Sequence, residues 1–153
     1  MTDEGLDIYY ENTENMENVM ITIQATVMVD AAKAWECYTL PEQITKWNFA
    51  SDDWHCPAAF NELKAGGTYR VRMEAKDGSF GFDLEAIYDS LEPGKSFAYT
   101  MADGRPVNLV MHDKGSSTEV MITFEAENQN AVELQRDGWQ AILNNYKKYT
   151  ESV

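Results

Sequence analysis

The sequence predicts an α+β fold: a curved antiparallel sheet of about seven strands around one long C-terminal helix, with two small helices after the first strand. Three observations carry this prediction. Apolar and polar residues alternate in short stretches from Val19 to Phe124, the period of strands with one buried face. Most of these stretches are divided by turn dipeptides: Gly66-Gly67, Asp77-Gly78, Pro93-Gly94, Asp103-Gly104 and Lys114-Gly115. After Asn130 the period changes, and Trp139, Ile142, Leu143 and Tyr146 share one helical face at i, i+3, i+4 and i+7. Helices gathered on one face of an antiparallel sheet make a layered α+β architecture. A twisted sheet of this size curls, and the helix lies in the curl.

Taken in order, residues 1–18 form an acidic extension, with Asp3, Glu4, Asp7, Glu11, Glu14 and Glu17 and no base. Such a segment reads as mostly disordered, with Leu6 to Tyr10 able to dock on the sheet. Residues 19–153 read as one domain. Val19 to Val29 is the first strand, with Ile21, Ile23, Ala25 and Val27 on its buried side. Asp30 caps a short helix from Ala31 to Thr39 that buries Ala34, Trp35 and Tyr38. Pro41, at the favoured first position, opens a second helical turn to Trp47.

An irregular, aromatic-rich loop follows from Trp47 to Pro57, then a short strand from Phe60 to Leu63. The next strands carry Tyr69, Val71, Met73 and Ala75; Phe80, Phe82, Leu84, Ala86 and Tyr88; Phe97, Tyr99 and Met101; Val107, Leu109 and Met111; and Val120, Ile122 and Phe124. In the last helix Asn130 reads as N-cap with Glu133 in capping-box position, and Lys147 and Lys148 suit the C-terminal end of the dipole.

Composition narrows the function classes. The chain has 153 residues, 12 basic against 26 acidic, and a net charge of −14. That charge repels nucleic acid and anionic membranes. No apolar run reaches the ~18 residues of a membrane span. No secretory signal opens the chain, and the expected setting is cytoplasmic. Cys37 and Cys56 do not make a disulfide framework. No phosphate loop, nucleophile elbow or dinucleotide fingerprint appears, so no cofactor is expected.

The order of elements, together with several motifs, resembles the START-like (SRPBCC) superfamily of helix-grip proteins. The nearest branch is the one similar to the activator of the heat-shock chaperone ATPase. The motifs are Pro41-Glu-x-Ile-x-x-Trp47, the loop Trp47 to Pro57, Gly66-Gly67-Thr-Tyr69, Met73 to Gly78, Gly81-Phe82-Asp83 and Gly138-Trp139-Gln-Ala-Ile-Leu143. The resemblance implies an apolar cavity between sheet and helix that takes hydrophobic small molecules. It implies two alternatives, a chaperone-associated or regulatory interaction module and a cyclase- or hydrolase-type enzyme. The chaperone-activating role belongs to larger proteins, and this sequence carries no companion domain.

The candidate cavity residues are Trp47, Phe49, Trp54, His55, Phe60, Tyr69, Met73, Phe82, Tyr99, Met101, Gln135, Trp139, Leu143 and Tyr146. Periodicity alone does not separate cavity lining from core. His55, Gln135 and Arg70 are the polar groups that would orient a ligand; for Arg70 the alternation favours an outward, solvated position. His55 beside Cys56 invites a nucleophile, and Asp52-Asp53-Trp-His-Cys56 invites a metal. Neighbours in an extended chain point to opposite faces, however, and a zinc site needs about four convergent ligands. A structural or rim role is therefore expected, with no catalytic residue and no metal. A homodimer through an edge strand or the convex sheet face is compatible with the pattern.

Overall fold

The computed structural model describes residues 19–153; the acidic extension lies outside them. The element order is β1 (Met20–Val27), α1 (Ala31–Thr39), α2 (Pro41–Ile44), β2 (Trp54–Asn61), β3 (Thr68–Ala75), β4 (Gly81–Glu92), β5 (Ser96–Met101), β6 (Pro106–Asp113), β7 (Thr118–Glu125) and α3 (Val132–Ser152). All seven strands form one antiparallel sheet in the order β1-β7-β6-β5-β4-β3-β2. The meander is therefore closed by one long-range pairing: β1 lies on β7, with Met20 opposite Glu125 and Val27 opposite Thr118.

The alternation sets which face is buried. Ile21, Ile23 and Val27 of β1, Val71 of β3, Leu109 of β6 and Val120, Ile122 and Phe124 of β7 lie in the core. Leu143 and Tyr146 of α3 enter the same core from the other side. Asp30 caps α1 as expected, its carboxylate accepting from the Lys33 backbone N–H at 2.9 Å. The turn before β3 needs both its glycines. Gly66 has φ +82°, and a Cβ on Gly67 would sit 2.1 Å from the Glu62 carbonyl oxygen.

Four expectations change. The second strand begins at Trp54 rather than Phe60, so the last four residues of the aromatic-rich loop are extended chain. Pro57 is tolerated because β2 is an edge strand and its register shifts between His55 and Ala58. The second helix ends at Ile44, and turns carry the chain on to Trp47. Asn130 is not the N-cap of α3, because Ala131 takes that place without a side-chain bond. The helix start is instead tied by Gln135, which accepts from the Glu127 N–H at 2.9 Å and donates to the Glu127 and Asn130 carbonyls at 2.9 and 2.8 Å. Lys147 reaches the β1 backbone, so its cation serves the helix–sheet seam and not the helix dipole.

Candidate ligand cavity

Between the curved sheet and α3 lies a cavity of about 420 Å³. Period-2 alternation builds its floor, bringing Tyr69, Val71 and Met73 of β3, Leu84 and Phe82 of β4, Tyr99 and Met101 of β5 and Ile122 of β7 to one face. The roof is Gly138, Trp139, Ile142 and Leu143 of α3, held at helical spacing. Trp139 is fixed by stacking on Phe124, with centroids 3.8 Å apart and planes 10° from parallel. The end wall combines Tyr38 of α1 with Trp47, Asn48, Ala50, Ser51 and Trp54.

This end wall is anchored by hydrogen bonds to backbone. The Trp47 indole donates to the Cys37 carbonyl at 2.8 Å, which locks it against α1. Asn145 of α3 donates to the Trp47 carbonyl at 2.8 Å. The segment after α2 is thus tied to both helices, while Ser51, Asp52 and Asp53 face solvent. Residues 50–53 form a short turn at the mouth.

Nine of the expected residues meet in this lining: Trp47, Trp54, Tyr69, Met73, Phe82, Tyr99, Met101, Trp139 and Leu143. Five expected residues do not line it. Phe49 lines a separate groove together with Ala141 and Asn145 of α3. His55 sits on the outer side of the edge strand, with its Nε2 3.6 Å from Glu74 Oε1. Phe60 is 45% exposed, with the Arg70 guanidinium 5.4 Å from its ring centroid, so Arg70 is outward too. The Gln135 amide is engaged at the start of α3. Tyr146 is fully buried, donating to the Ala34 carbonyl at 2.6 Å and packing on Tyr38 and Trp47.

The arrangement disposes of the His–Cys pair. Cys56 is buried on the opposite face from His55, and its Sγ donates to the Ala58 carbonyl at 3.5 Å. Burial pushes its thiol pKa up, away from the thiolate that nucleophilic attack needs. Among the described residues, no three His, Cys, Asp or Glu side chains converge as a metal site would require. No helix among them is long and apolar enough to cross a membrane.

Ten lining residues are not among the candidates, and the polar ones are Tyr38, Asn48, Ser51 and Arg105. Tyr38 was readable as a buried helix position, but nothing local says that its ring borders a space. Arg105 lies just past the Asp103-Gly104 turn and is the one charged side chain among the described lining residues. Its charge is already engaged. Nε donates to Asp103 Oδ2 at 2.8 Å and a terminal nitrogen donates to the Glu125 carbonyl at 2.8 Å. Burial alone would raise the Asp103 pKa, but Arg105 outweighs it and holds this carboxyl below the usual range. No His, Asp, Glu, Lys or Cys lines the cavity among the described residues. The lining can bind and exclude water, and it offers no proton-transfer group poised near neutrality.

Comparisons with known proteins agree with this architecture. The solution structure of an AHSA1-like protein from Aeromonas hydrophila is 35% identical and has a TM-score of 0.83, covering 88% of this chain and 93% of that one. The Chr148 protein from Cytophaga hutchinsonii is 45% identical with a TM-score of 0.75, covering 86% and 92%. The Aha1 dimer from Colwellia psychrerythraea shares the fold at 15% identity, with a TM-score of 0.66 and coverage of 87% and 96%. No curated protein matches the sequence. The family model described as "Activator of Hsp90 ATPase homolog 1-like protein" matches residues 28–151, and the chain, a START-like helix-grip domain, belongs to that family.

Proposed function

We propose that this protein binds a small hydrophobic molecule in the cavity beneath α3. The observation that supports the reading is the cavity itself: about 420 Å³, within the range of small-molecule sites, walled mainly by aromatic, aliphatic and Met side chains. A well-packed domain has few voids larger than a water molecule, so a space of this size needs a reason. Met73 and Met101 give walls that reshape around different guests. Affinity comes from apolar burial, about 25 cal/mol per Å² before ordering costs.

Native mass spectrometry of freshly purified protein, with titration of the neutral fluorophore N-phenyl-1-naphthylamine, tests this reading. A co-purified adduct or saturable one-to-one binding is expected. Met73→Trp, which fills the space, should weaken fluorophore binding by at least about tenfold. Unchanged binding in a folded Met73→Trp variant places the ligand elsewhere.

A further inference from the structure

The tyrosines of the described residues divide into two groups. Tyr88 donates to Asn61 Oδ1 at 2.7 Å, Tyr146 to the Ala34 carbonyl at 2.6 Å, and Tyr149 to Gln43 Oε1. The hydroxyls of Tyr38, Tyr69 and Tyr99 have no hydrogen-bond partner among the described residues, and all three side chains line the cavity. Tyr69 and Tyr99 are 8% and 7% exposed. Among the described residues, Thr150 Oγ1 is the one unpartnered side-chain oxygen or nitrogen sealed within protein. The three phenol oxygens therefore border open space, and in this location that space is the cavity.

The three are a cluster. Tyr69 and Tyr99 stack with centroids 5.3 Å apart and planes 17° from parallel. Burial pushes the pKa of Tyr69 up, and the proximity of Tyr99 and Tyr38 pushes it further; Tyr99 is raised by burial and then by Tyr38. All three stay neutral, so each keeps an O–H to donate. Buried phenols that find no partner in the protein must find one in what fills the cavity, water or a guest.

We infer that the guest is an apolar molecule carrying one neutral carbonyl-type oxygen, which accepts from the Tyr38–Tyr69–Tyr99 cluster. This inference rests on the cavity reading above. A pure hydrocarbon would displace water from the hydroxyls and leave them unpaired, at a cost in affinity. A carboxylate would need a free cation to offset its desolvation. Arg105 is held by Asp103 and the Glu125 carbonyl, and the chain carries −14 overall.

The test compares two probes of the same shape, benzophenone and diphenylmethane, which differ in one carbonyl against one methylene. Dissociation constants are read from amide chemical-shift titrations of the full chain. Benzophenone should bind the wild type about tenfold or more tightly than diphenylmethane. That ratio should fall to about one in Tyr38→Phe/Tyr69→Phe/Tyr99→Phe and persist in Tyr88→Phe, whose hydroxyl is satisfied within the protein. Equal affinities in the wild type, or a ratio that survives the triple substitution, would overturn this inference and leave the cavity reading standing. Binding of neither probe to the wild type would overturn both.

Discussion

The Lys147 ammonium donates to the Thr26 carbonyl at 2.8 Å, across the open edge of β1. It is one of three such contacts. Arg136 donates to the Thr22 carbonyl at 3.2 Å and Gln140 to the Gln24 carbonyl at 3.1 Å. Alternate carbonyls of the edge strand are thus answered by side chains along α3. An exposed row of such carbonyls is a template for pairing with another chain, and here the helix occupies it.

Glu151 makes this seam sensitive to acid. Its Oε2 accepts from Lys147 Nζ at 2.6 Å and from the Met28 N–H at 2.8 Å, and these bonds, Lys147 first, hold its pKa below the ordinary 4.5. A carboxyl depressed in the folded state contributes stability that is present above its unfolded value. The contribution is lost as pH falls through the lower folded value. Glu151→Gln should cost about 0.5–1 kcal/mol at pH 7, a modest figure because the pair is partly solvated. Urea melts should show the gap from wild type closing as pH falls below 4.5. A gap independent of pH would assign the loss to packing.

Tyr146 is the pillar between α3 and α1. Tyr146→Phe removes the donor to the Ala34 carbonyl and keeps the ring, so a loss of about 1–2 kcal/mol is expected. Tyr146→Ala also removes the contacts with Tyr38 and Trp47 and should cost about 3–5 kcal/mol. Equilibrium denaturation separates the two. A Phe variant as unstable as Ala would mean that the hydroxyl outweighs the ring.

Gln135 separates a helix-capping role from a ligand-contacting one. Gln135→Ala removes its three bonds to Glu127 and Asn130 and should cost about 1–2 kcal/mol. Amide exchange should quicken in the first turn of α3, while fluorophore affinity stays at the wild-type value. Weakened binding with unaltered exchange would return Gln135 to the cavity.

The sheet and the helix were legible because their signals are periodic. Ile21, Ile23 and Val27 announce a half-buried strand without reference to any distant residue, as Leu143 and Tyr146 announce a helix face. Register and edges were less legible. Trp54 to Pro57 reads as a loop because Pro57 removes a backbone donor, and that matters little only once β2 is known to be an edge. The cavity was half legible. Alternation places Tyr69, Met73, Tyr99 and Met101 on the inner face, but inner-face residues become core or lining according to what the opposite layer brings. Tyr146 meets α1 and is core; Trp139, two turns earlier on α3, meets Phe124 and borders space. Asn130 and Gln135 show the same limit for polar groups. Both match local templates, and the partner that decides their roles, the Glu127 backbone and carboxylate, is a tertiary arrangement of the turn before the helix.

The pairing of β1 with β7 also dictates the order in which the domain is completed as it is synthesised. Strands β2 to β7 each find a neighbour soon after emerging from the ribosome, whereas β1, made first among the described residues, waits for a partner about a hundred positions downstream. Until β7 arrives, and then α3 to cover its outer carbonyls, Ile21, Ile23 and Val27 form an apolar strip in solvent. The strip that stays longest in solvent during synthesis is therefore one that the finished protein seals, with Ile21 and Val27 at 0% and Ile23 at 3% exposure.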